Sequence, residues 1–223
     1  MTEVSKNDLE LINKLSRKEL TAEEVYIFPV VCCDNQIDRD YERFSDDALE
    51  EMAKLYVGQT IIKDHDPKTD NQAARVYRAQ VQDDENGVKK LVAYAYVPVL
   101  DSTKDFIAEI ETGLKKEVSV GCAVNKRICS VCGEEAGYCG HVPGGAYDGV
   151  KCYRTLSGVT DVYELSFVAV PAQKGAGVTK SFDVRKRSIV EAGRTEKKDS
   201  SLESELLELE LEGIERENED YGN

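Results

Sequence analysis

The run Cys129-Ser-Val-Cys132-Gly-Glu-Glu-Ala-Gly-Tyr-Cys139-Gly-His141 constrains this chain more than any other stretch. Cys129 and Cys132 form a Cys-x2-Cys knuckle, Gly133 permits its tight turn, and Cys139-x-His141 closes the set. Three thiolates and one imidazole complete a tetrahedral shell, the arrangement that holds structural zinc. A closed shell leaves no position for a reacting water, so a catalytic zinc is disfavoured. Cys152 lies just beyond and is an alternative ligand. An iron–sulfur cluster fits less well, because histidine ligands are the minority there. The other reading is a set of free cysteines in a Gly-rich loop. The segment carries too little apolar surface to fold alone, and its exit, Pro143-Gly144-Gly145, is loop-like. It therefore predicts a zinc-stapled loop, residues 127–145, inserted between strands.

Composition sets the frame around that loop. The chain has 223 residues, 41% hydrophobic and 32% charged, which suits one good core plus an appendage. A net charge of -14 argues against nucleic acid as a partner. No apolar run approaches the ~18 residues of a membrane span, and Met1 to Lys6 leads into no apolar segment of a secretory signal. Seven cysteines without such a signal point to a reducing compartment, with thiols used for metal or packing.

In chain order, Asn7 to Glu19 predicts an amphipathic helix capped by Ser5 or Asn7, with Leu11, Ile12 and Leu15 on one side. Thr21-Ala22-Glu23-Glu24 has capping-box spacing, but a strand, Val25 to Cys33, follows too soon for a helix. Pro29 suggests an edge position or a bulge, and Cys32 and Cys33 should face opposite ways in that strand. Ser45 caps a helix to about Tyr56 that buries Ala48, Leu49, Met52 and Leu55, and Gly58 ends it. A strand leads to His65, and Asp66 to Ala73 is a polar loop. Ala74–Gln82 and Val88–Pro98 form a hairpin about Asn86-Gly87, which supplies positive φ angles. Ser102 or Thr103 starts a helix to about Glu111. Glu117–Val124, Val150–Leu156 and Val159–Val170 are strands. Many strands with few helices and no β-α-β alternation predict an α+β fold, a mostly antiparallel β-barrel with a few surrounding helices and the zinc knuckle inserted. The domain boundaries are an N-terminal helical segment 1–20, a main domain 21–180 and a tail 181–223.

Three residues are candidates for chemistry. Ser119 lies in the apolar run Glu117-Val-Ser-Val-Gly-Cys122, His65 follows a strand at a loop edge, and Glu164 opens the run to Pro171-Ala172. Together they offer a nucleophile, a base and an orienting acid. By spacing alone each is an ordinary strand or loop residue. Two features single them out. The chain has only two histidines, and the metal cluster claims His141. The ordered set His65, then Val118-Ser-Val-Gly121, then Glu164-Leu-Ser-Phe-Val-Ala-Val-Pro-Ala172 resembles the motifs of the tailed-phage prohead (capsid maturation) serine proteases.

The resemblance runs from about Tyr26 to Val178 and implies a barrel similar to that of herpesvirus assemblin. It implies an endopeptidase inside the immature phage head in the host cytoplasm. Its substrates would be the scaffold protein, the major capsid protein's N-terminal segment, and itself. Homo-oligomerisation is a further implication, since assemblin-like proteases act as dimers. Ser119 would be the nucleophile, His65 the base and Glu164 the third member. Asp161 is an alternative acid, and Asp64 and Asp66 are less favoured. Ser166 is a rival serine whose place in the family motif is structural. Cys122 is a rival nucleophile on the opposite strand face from Ser119. Gly121 would let substrate backbone approach, with nearby amides serving an oxyanion hole.

The tail shifts from basic, with Arg185-Lys186-Arg187, Arg194, Lys197 and Lys198, to acidic from Asp199 onward. Ser200 to Ile214 has the pattern of a short acidic amphipathic helix in an otherwise solvated segment. A solvated, partly disordered tail is the favoured reading; the functional one is an anchor to scaffold or capsid protein, or a segment removed on activation, with the basic stretch as the linker that is cut. Two further readings stand beside the protease: a non-catalytic zinc-stabilised assembly module of the phage head, and a zinc hydrolase.

Overall fold

The computed structural model describes residues 4–179, so the basic-to-acidic tail expected over 181–223 lies outside the described residues. The first helix, α1 (Lys6–Leu15), is capped by Ser5, whose side chain accepts from the Asp8 amide at 3.1 Å. It ends short of the predicted Glu19 because Asn13 bonds both the amide and the carbonyl of Leu20, at 2.8 and 3.1 Å, closing a turn. Thr21 to Glu24 does form a capping box, on one turn of 3-10 helix at Ala22–Glu24, before β1 (Val25–Asp34) begins. A short β2 (Glu42–Phe44) precedes α2 (Asp46–Leu55), where Ser45 accepts from the Ala48 amide at 3.2 Å. Ala48, Leu49 and Met52 are buried as the periodicity predicts, with Ala53 in addition.

Next come β3 (Thr60–Lys63) and the hairpin of β4 (Ala74–Asp83) and β5 (Lys89–Pro98). In that hairpin only Gly87 takes a positive φ, 75°, and Asn86 does not. After α3 (Lys104–Glu111), β6 spans Val118–Cys129. A two-strand flap follows, β7 (Ala146–Tyr147) and β8 (Val150–Lys151). The strands expected at 150–156 and 159–170 are instead one long strand, β9 (Arg154–Phe167), and β10 (Gly177–Val178) ends the described chain. Gly158 carries β9 through its join at φ 65°, a left-handed value a glycine adopts without strain.

Eight strands form one sheet in the order β10-β1-β5-β4-β3-β9-β2, and β6 lies on the other edge of β9. The pairings are antiparallel except for β2 and β3 on β9. The expected barrel is not closed. One bridge, Glu117 to Gly177, joins the two ends, with the Val178 amide bonded to Lys116 O at 2.8 Å. A two-residue β10 cannot extend that junction into a ladder. Gly177 permits the approach, because a Cβ there would sit 2.8 Å from the Lys116 carbonyl oxygen.

The main core lies on the side of the sheet where α2 packs, with Phe28, Val30, Leu91, Ala93, Leu165 and Phe167 facing Leu49 and Met52. α1 covers the opposite face, where Ile12 meets Ile27, Val31, Tyr77 and Tyr94. Cys32 and Cys33 do not face opposite ways. The register of β1 on β5 slips between Val31 and Cys33, so Cys32 is the extra residue of a bulge and both thiols enter the main core. Among the described residues no helix is long and apolar enough to cross a membrane.

Candidate functional site

β3 delivers the histidine. Its parallel pairing with β9 sets Ile62 beside Ser166 and Lys63 beside Phe167. The chain then turns through two successive left-handed residues, Asp64 at φ 56° and His65 at φ 53°. Asp and His tolerate that region better than most side chains, yet such residues persist only when their surroundings hold them. Here the Asp64 amide bonds Phe167 O at 2.9 Å, and the His65 amide bonds Ser166 Oγ at 3.1 Å.

The turn points His65 Nδ1 at Glu164 Oε1, 2.8 Å away. The imidazole is about half exposed, at 47%, whereas the Glu164 side chain is only 14% exposed. With Nδ1 engaged by the carboxylate, Nε2 is the nitrogen left to exchange a proton. The second carboxylate oxygen, Oε2, accepts from the Ser166 hydroxyl. The buried Tyr56, which caps the end of α2, donates to the Glu164 carbonyl at 3.2 Å and steadies the strand there. Asp161, the alternative acid, pairs with Ala123 farther along β9 and its side chain is exposed.

β6 delivers the serine. Cross-strand partners share a face, so Ser119 and Gly121, opposite Ser166 and Glu164, lie on the His65 side of the sheet. Cys122 pairs with Val162 and packs against the main core with Val118, Val120 and Val124. That is the opposite face from Ser119, as strand alternation predicts, and burial pushes the Cys122 thiol up to about 11. A thiol held that high is protonated at neutral pH and is a poor nucleophile. Ser119 and His65 line one cavity of about 340 Å³, which opens where β6 diverges from β1 beyond the bridging Glu117. Cys32, Cys33, Cys122 and Gln173 also line it, as do the charged Asp38, Asp40, Glu42 and Arg127. Burial raises the carboxyls of Asp38 and Glu42 above their ordinary range.

Gly121 has a purpose that the sequence did not suggest. A Cβ at this position would lie 2.4 Å from Glu164 Oε1, the oxygen that engages His65. The glycine is thus needed for the acid's seat. Ser166 is the other residue whose part was missed. No signal in the sequence pointed to that part, because alternation with the core residues Leu165 and Phe167 places Ser166 on the opposite face.

The metal cluster is assembled apart from this cavity. β6 and β9 pair out to Cys129 opposite Arg154, and the intervening chain leaves the sheet as a loop carrying the β7–β8 flap. One ligand atom from each of Cys129, Cys132, Cys139 and His141 lies within 4.8 Å of the others. Cys129 Sγ is 3.8 Å from His141 Nδ1, near the ~3.6 Å edge of a tetrahedron with a ~2.3 Å sulfur arm and a ~2.1 Å nitrogen arm. The donor set and spacing fit zinc. Burial acts to raise the Cys129 thiol, but amides of Cys132 and Val131 and the thiols of Cys132 and Cys139 outweigh it, bringing it to about 6. The Arg154 guanidinium donates to Cys139 Sγ at 3.6 Å and also to His141 O, a buried cation beside the thiolates. Cys152 is fully buried, with its sulfur 3.8 Å from Cys129 Sγ, so it borders the ligand set. The His141 ring also packs edge-on against Tyr147 of the flap at 4.5 Å between centroids. These residues would hold the ion and staple the loop to the end of the β6–β9 ladder.

Comparison with known protein families, curated proteins and solved structures returns no match.

Proposed function

We propose that this chain is a serine endopeptidase of the prohead-maturation type, with Ser119 as nucleophile, His65 as base and Glu164 as orienting acid. The observation that carries the reading is the 2.8 Å bond from His65 Nδ1 to Glu164 Oε1 in a cavity that also contains Ser119. The rarity of histidine supports it as well: His141 belongs to the metal cluster, which leaves His65 as the one imidazole for chemistry.

The carboxylate keeps the proton on Nδ1, so Nε2 accepts the Ser119 hydroxyl proton as Oγ attacks a peptide carbonyl carbon. The resulting imidazolium, stabilised by Glu164, returns that proton to the departing amine nitrogen, and the C–N bond breaks. An ester to Ser119 remains. Water then attacks the ester, giving its proton to Nε2, and the serine oxygen leaves with it. Cys129, Cys132, Cys139 and His141 would hold a zinc ion that offsets most of the thiolate charge and fixes the loop.

In this reading the substrates are scaffold protein, the capsid-protein N-terminal segment and the chain itself, cut inside the immature head in the host cytoplasm. The curved sheet is an assemblin-like frame opened at the β6–β10 junction, and a homo-oligomer is the expected working form. Co-expression with the neighbouring capsid and scaffold proteins, wild type against Ser119→Ala, followed by intact mass, tests it. Discrete fragments should form with the wild type and vanish with Ser119→Ala and His65→Ala. Identical intact masses throughout would refute the protease and favour a non-catalytic assembly module.

A further inference from the structure

We infer that Ser166 is a positioning residue whose single hydroxyl fixes both the backbone of the base and the carboxylate of the acid; this rests on the protease reading above. Ser166 is completely buried, unusual for a strand serine on the face away from the main core. Its oxygen accepts the His65 amide at 3.1 Å, and its proton goes to Glu164 Oε2. A serine hydroxyl has one proton to donate. Ser166 is fully buried and does not line the cavity, so a substrate carbonyl does not reach its oxygen, and its part is to position rather than to attack.

The two bonds act on different parts of one device. The bond from the His65 amide holds the second of two successive left-handed residues, and so fixes where the imidazole starts from the backbone. The bond to Oε2 stops the carboxylate rotating, so that Oε1 stays on Nδ1. The Asp64 amide is tied to β9 through the Phe167 carbonyl. The His65 backbone is therefore tied by one side chain, the same one that holds the carboxylate against its ring, and removing one oxygen atom loosens the base and the acid together.

The test uses the full-length chain in a Ser119→Ala background, which cannot cut itself, and reads the imidazole ¹⁵N and ¹H resonances of His65. Ser166 intact should give a proton held on Nδ1 in a downfield, slowly exchanging signal. Ser166→Ala should lose that signal and mix the tautomers, while His141 in its metal cluster stays unchanged and reports that the fold persists. Ser166→Thr, which keeps the hydroxyl, should restore the signal. With Ser119 present, Ser166→Ala should lower kcat by ~10- to 100-fold, part of what a positioned base supplies, and change KM by less than ~3-fold. An unchanged His65 signal together with wild-type kcat in Ser166→Ala overturns the positioning role and leaves the protease standing. A lost signal in a chain whose wild type cuts no substrate supports the positioning and overturns the protease.

Discussion

Replacing Gly121 with alanine should separate catalysis from folding. The added Cβ would stand 2.4 Å from Glu164 Oε1, against about 3.4 Å for ordinary contact, so a shift of about 1 Å is required. The atom in the way is the end of a side chain, and Gly121 is not among the glycines with positive φ, so the backbone accepts alanine. The carboxylate therefore moves. A shift of this size lengthens or breaks the 2.8 Å bond to His65. A hydrogen bond to a charged group is worth ~1.5–3 kcal/mol, a factor of ~10–150. Losing it from the transition state should lower kcat by that factor with little change in KM. The fold should lose only ~1 kcal/mol, from the strained bond to Ser166, or ~2–4 °C in Tm. Peptide-cleavage kinetics with a thermal melt on the same sample read both quantities. A Gly121→Ala chain with wild-type kcat would refute the reasoning, because the acid's seat could then not matter. Collapse of the melt would mean that the strand, not the carboxylate, yields.

Four other outcomes follow from the same geometry. Glu164→Gln should lower kcat by ~10³- to 10⁴-fold, as expected when the base loses its orienting carboxylate, whereas exposed Asp161→Asn should leave it within ~2-fold. Cys122→Ala should keep activity, and iodoacetamide at neutral pH should leave Cys122 unlabelled, because burial raises its thiol to about 11. The chain should carry one zinc, measured by native mass spectrometry. Cys132→Ser or a chelator should abolish it and speed amide exchange across 130–153, sparing the strands around Ser119. Finally, burial raises Cys32 from 9.0 to about 12 and Cys33 well above 9.0, both above their unfolded values. The native state then binds more protons than the unfolded state above pH ~9, so stability is full below that pH and falls as pH rises, by ~1.4 kcal/mol per unit per thiol. A flat Tm between pH 9 and 11 would contradict this.

Much of the frame was legible because local rules governed it. Ser45 before two acids and Gly58 after Tyr56 delimit α2, and the apolar spacing of Ala48, Leu49 and Met52 gives its buried face. The metal ligands were legible because donor type and spacing carry the chemistry without the fold. What sequence rules missed was set by register between distant strands. The bulge at Cys32 breaks alternation because β5 lacks a matching residue. The fusion of two predicted strands into β9 depends on β6 pairing along its whole length. The junction that fails to close the barrel depends on the brevity of β10. In the site, His65 and Ser119 were candidates from their motifs. Ser166 and Gly121 could not be given their parts, since both act through Glu164, and only the pairing of β3, β9 and β6 brings them to it.

The most direct test of the central claim is covalent labelling with a fluorophosphonate, located by peptide mass. Attack by the activated serine oxygen on phosphorus expels fluoride and leaves a stable phosphonyl ester. One adduct is expected, on Ser119, lost in Ser119→Ala and in His65→Ala and retained in Cys122→Ala. No adduct on the folded, zinc-loaded chain, or an adduct on Ser166, would contradict it.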